Sequence, residues 1–62
     1  MTADDITLLA IRGSIAGMKP ADQALIEAAA ASIRTLVASH PGGHGLMAVV
    51  LVGAELAVEG GQ

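Results

Sequence analysis

The chain has 62 residues, three Lys/Arg against six Asp/Glu, and no Cys, Phe, Tyr or Trp. At this length one domain is the maximum, and a fold that buries only about 60% of its unfolded surface is marginal as a monomer. Disulfides and thiolate metal sites are excluded, and so is nucleic acid as a partner, because Arg12, Lys19 and Arg34 are scattered and no aromatic platform exists for bases.

Two breakpoints divide the chain into three segments. Gly17-Met18-Lys19-Pro20 is the first, since proline pushes Lys19 out of helical backbone. His40-Pro41-Gly42-Gly43 is the second and the stronger. A helix is predicted over about residues 3–17, with Thr2 as N-cap and Asp4 and Asp5 in the first turn, where carboxylates suit the helix dipole. Leu8, Ile11, Ile15 and Met18 recur at three- and four-residue steps, and Ile6 and Leu9 widen the stripe. Gly13 and Gly17 each cost about 1 kcal/mol of helix propensity relative to alanine. They are read as room for a neighbouring helix.

The second helix is predicted over 20–39. Pro20 suits its first turn, and "ALIEAAAASIRTLVA" is built of helix formers. Ile26, Ala29, Ile33 and Leu36 form its apolar stripe with Leu25 and Val37 beside it, while Gln23, Glu27, Ala31 and Arg34 occupy the outer face.

The third segment runs from Gly45 to Ala54 without a charge or a hydrogen-bonding side chain. "MAVVLV" alone would pass for a buried strand, but "GAELAVE" continues with helix formers and no partner strand exists, so a helix is predicted over 44–59. Its polar side is limited to Ala48, Val52, Glu55 and Glu59, and a helix apolar nearly all round needs cover on nearly all sides. A frayed tail is expected at 60–62. No membrane span is expected, because Leu46 to Val58 is only 13 residues, interrupted by Glu55 and without basic or aromatic anchors. The acidic N-terminus is unlike a signal peptide, so a cytoplasmic location is the default expectation.

His40 and His44 raise the question of chemistry. A zinc site wants three or four ligands, and no third accompanies this pair, so neither metal nor other cofactor is expected. His40 is read as capping the end of the second helix. No enzyme is expected: no Cys nucleophile is present, and Ser39 and His40 have no orienting acid nearby. One ligand alternative stays open. Consecutive glycines ahead of a helix can present free N–H groups to an anion. His40, Gly42, Gly43, His44 and Gly45, with Arg34 or Arg12, would then hold a small anionic ligand such as a nucleotide, although no phosphate-loop motif is present.

The expected fold is all-α: a single small three-helix bundle, a helical hairpin plus a buried apolar C-terminal helix, assembled as a homo-oligomer and most simply a two-fold dimer. The expected interface comprises Leu46, Met47, Val49, Val50, Leu51, Gly53, Ala54 and Ala57; Gly53 and Ala57 form a small-xxx-small pair that allows close backbone approach. The function expected first is that of a non-enzymatic interaction protein acting on itself and on another protein, by analogy with small adaptors and phage-type inhibitors. The anionic ligand at His40–Gly45 is the alternative.

Overall fold

The structure, a computed structural model, describes residues 1–60. It contains three helices and, among the described residues, no strand: α1 (Ala3–Ala16), α2 (Pro20–Ser39) and α3 (His44–Gly60). The expected tail lies outside the described residues except for Gly60, which closes α3.

Each helix start has a local cause. At α1 the Thr2 hydroxyl accepts from the Asp5 N–H at 3.1 Å, while Asp5 Oδ2 accepts from the Thr2 N–H and hydroxyl, both at 2.9 Å. This is a complete capping box, more than the simple cap expected. At α2, Pro20 occupies the first turn after an extended Lys19, so no N–H is wasted there. Two left-handed glycines, Gly42 (φ 80°) and Gly43 (φ 83°), turn the chain into α3.

The hairpin of this fold is α2 with α3, which meet beside the turn: Gly45 lies against Val37, while Ala48, Val49, Val52 and Gly53 line a groove with Ile33 and Leu36. The helices approach most closely at Gly45, where an added Cβ would stand 2.8 Å from both Cα and O of Val37. α1 stands off this pair. The space at Gly13 is open, with nothing within 4 Å of a Cβ, so Gly13 does not admit a neighbouring helix.

A compact interior is not formed by one chain. Gly45 alone is buried among the described residues; Ile15, Gln23, Ile26, Ala30, Val37 and Val49 are half-buried. The radius of gyration is 13.5 Å, against about 11 Å for a compact chain of this length. The expected burial of the third helix is therefore not achieved within the chain, because α2 approaches it only near the turn, at Gly45 and Val49.

Register decides which side of α3 meets α2. The Gly45–Val37 contact turns Ala48 and Val52, assigned above to the polar side, toward α2. On α2 the covered flank is Gln23, Ile26, Ala30 and Val37, rotated from the stripe through Ala29 and Leu36. The shift on α3 follows from two backbones in contact at a glycine, which fixes the rotation of that helix against α2; at the other end of α2, Gln23 is covered by the end of α1. Met47 and Leu51, half a turn from Gly45 and Val49 at about 100° per residue, are left on the outer side of α3, 66% and 59% exposed.

Candidate functional site

The two expected sites, the 40–45 turn and the apolar side of the third helix, meet at the hairpin, and the structure treats them differently. In the turn, His40 is the C-cap of α2, with Nδ1 3.0 Å from Leu36 O. An Nδ1–H donates to that carbonyl, which satisfies one of the acceptors left over at a helix end. This is the capping role expected for His40. The His44 ring leans over Gly42, whose added Cβ would lie 3.9 Å from Cε1.

The turn's own geometry bears on anion capture. Gly45 N–H donates to His40 O at 3.1 Å, and Met47 N–H donates to Gly43 O at 2.9 Å. The first of these engages a first-turn donor of α3 inside the chain, while the second is the opening i→i−4 bond of the helix itself. Gly45, grouped above with the ligand loop, is instead the contact point between two helices. Arg12 lies apart from the turn residues, in a shallow depression along α1 lined by Met1, Asp5, Leu8 and Leu9. Arg34 is on α2, six residues before His40, or roughly 9 Å along the axis. Among the described residues no cluster of three or more metal-binding side chains occurs.

The apolar surface is the more developed feature. An open groove of about 290 Å³ runs between the helices beyond their closest approach, lined by Ile33, Leu36, Ala48, Val49, Val52 and Gly53. None of these six side chains carries a charge or a polar atom. Of the residues expected at an interface, Val49 and Gly53 lie in this groove. Leu46, Met47, Val50 and Leu51 are all more than half exposed, and Ala54 and Ala57 are exposed with them on α3. Gly53 makes no close helix approach: nothing comes within 4 Å of its added Cβ.

Ile33, Leu36, Ala48 and Val52 were not among the site residues read from sequence. Ile33 and Leu36 sit on the apolar stripe of α2, so their hydrophobicity was visible. What was not visible is the register at Gly45 that brings Ala48 and Val52 opposite them. No helix among the described residues is long and apolar enough to cross a membrane.

Gln23 is a second residue placed differently. Expected on the outer face, it is half-buried, and its Nε2 donates to Met18 O at 2.8 Å and Ala16 O at 3.4 Å. The C-terminal carbonyls of α1 lack intrahelical donors, and Gln23, one turn into α2, supplies them. It thereby sets the direction in which α1 leaves the hairpin.

No family model matches the chain, and no characterised protein or solved structure matches it either.

Proposed function

We propose that this chain is a non-enzymatic helical interaction protein, of the adaptor or inhibitor type, that works through the apolar surface of its helices and associates first with itself. One observation carries this. A compact monomer of 6.1 kDa exposes about 3,700 Å², whereas this chain exposes 5157 Å². The excess of about 1,500 Å² is nearly twice one partner's share of a standard-size interface and falls in the range of obligate dimers. The surface is aliphatic: Ile6, Leu9, Leu25, Leu46, Met47, Val50, Leu51, Leu56 and Val58 are each more than half exposed. Apolar patches of this extent are uncommon on monomers and mark sites of association.

A homodimer is the simplest closed assembly that removes this surface from water. Another protein would be engaged by whatever apolar surface the dimer leaves uncovered. Capture of a small anion at His40–Gly45 is the weaker reading, since the Gly45 N–H that would serve it bonds within the chain.

Light scattering across micromolar concentrations tests the proposal. The expected mass is about 12 kDa, twice that of the chain; a mass of one chain throughout would overturn self-association. Thermal shift assays with inorganic phosphate and nucleotides test the other reading, and stabilisation that disappears in His44→Ala would reverse the preference.

A further inference from the structure

The dimer proposed above can be taken one step further, to the element that fills the groove. We infer that the groove between α2 and α3 is the seat for α1 of a second copy, so that two chains exchange their first helices across a two-fold axis. This inference rests on the self-association reading and adds the partner surface to it.

Three observations support it. The first is that α1 is helical and amphipathic yet packs on little of its own chain: Leu8 is 46% exposed, Ile11 53% and Leu9 61%. Local hydrogen bonds, the Thr2–Asp5 box and the Gln23 amide, hold its two ends in place of packing. A preformed, direction-fixed helix loses little conformational entropy on docking.

The second is complementarity of size and polarity. Gly53 and Ala48 leave the groove open between the larger Ile33, Leu36 and Val52. Branched knobs such as Leu8 and Ile11 suit such a hole, by the ridge-and-groove logic of helix packing. Leu8 to Ile15 spans roughly 10 Å of helix and Ala48 to Gly53 roughly 8 Å, at 1.5 Å per residue.

The third is closure. A symmetric contact made only by the outer side of α3 would leave both α1 and the groove bare. Exchange covers both surfaces of both copies at once, with α1 meeting groove and groove meeting α1, the self-complementary relation that a two-fold axis requires. It also accounts for why the excess area is larger than one ordinary interface share.

Site-directed cross-linking tests this in the full chain, which has no native cysteine. Chains carrying Leu8→Cys and chains carrying Val52→Cys, with distinguishable masses, are mixed and oxidised. The expected product is the mixed disulfide between the two, formed in preference to either homodimeric disulfide. Dominant Val52–Val52 linkage, or no linkage in a sample that light scattering shows to be dimeric, overturns the exchange and leaves self-association standing. A wild-type monomer overturns both. Gly53→Trp is the second arm, chosen because its Cβ meets nothing in the chain's own fold. It should fill the groove, leave helicity intact by circular dichroism, and weaken dimerisation about tenfold or more. Unchanged dimerisation with intact helicity overturns the inference.

Discussion

Gly45 and Val37 bring the backbones of α3 and α2 together so closely that a methyl group on Gly45 would stand 2.8 Å from Val37 Cα and Val37 O. Backbone atoms cannot rotate aside, so the helices themselves would have to part. Gly45→Ala is therefore expected to destabilise the hairpin by about 1–3 kcal/mol, the usual range for overpacking. Thermal denaturation followed by circular dichroism reads this as a lower Tm. An unchanged Tm would mean the helices do not meet at this residue.

Gly13→Ala should do the opposite. Its position is helical, and its added Cβ meets nothing within 4 Å. Removing the glycine penalty should then stabilise α1 by about 1 kcal/mol. Greater helicity at fixed temperature is the expected signal, and a loss would show that some other helix lies against Gly13 after all.

The cap of α1 carries a pH dependence. Hydrogen bonds from the Thr2 backbone and hydroxyl lower the Asp5 pKa below its ordinary value of 3.8. A depressed carboxyl contributes stability that is present above the unfolded-state pKa and is lost as pH falls through the folded one. Helicity of α1 should thus hold at neutral pH and decline below about pH 4, as residue-resolved NMR shifts would show. Asp5→Asn should abolish that particular transition, and persistence of the transition in this variant would exclude Asp5 as its origin.

Gln23→Ala removes the amide that serves Met18 O and Ala16 O. A loss of about 0.5–1.5 kcal/mol is expected for a hydrogen bond of this kind. Amide hydrogen exchange should rise at Gly17 and Met18, which close the last turn of α1 through Gly13 O and Ile15 O. Exchange that stays at the wild-type rate would mean the clamp does not order this junction.

Val50 distinguishes a lone chain from an assembled one. It is 58% exposed here, so a chain that works alone should tolerate Val50→Asp with little change. Burial of this side of α3 in a dimer makes the same substitution costly, because a charge would lose its water without a partner. The expected result is a shift toward the monomer mass in light scattering; a dimer of unaltered stability would confine the interface to α1 and the groove, which Val50 does not line.

Much of the fold follows from local chemistry. Pro20, the paired glycines at 42 and 43, and runs of alanine and leucine mark where helices start and stop, because backbone dihedrals and helix propensity act over a few residues. Thr2 as the N-cap of α1 was equally legible, while the reciprocal bond from Asp5 that completes the box came from the structure. His40 as a helix cap was legible for the same reason, being a contact between residues four apart.

The sequence by itself thus determined the three helices, their boundaries to within a residue at each end, the lack of cysteine chemistry, and a surplus of aliphatic surface. Only the tertiary structure decided how that surface is divided. Hydrophobic periodicity ranks the faces of a helix by polarity, but rotation in a pair is set by whichever residues let the backbones touch. Here that residue is Gly45, which belonged to a turn when viewed along the chain and became the pivot of the hairpin in space. Its contact with Val37 turns Ala48 and Val52 inward, sends Met47 and Leu51 outward, and opens the groove. None of this is encoded in any short stretch, because it depends on the closest approach of two helices rather than on the pattern of either.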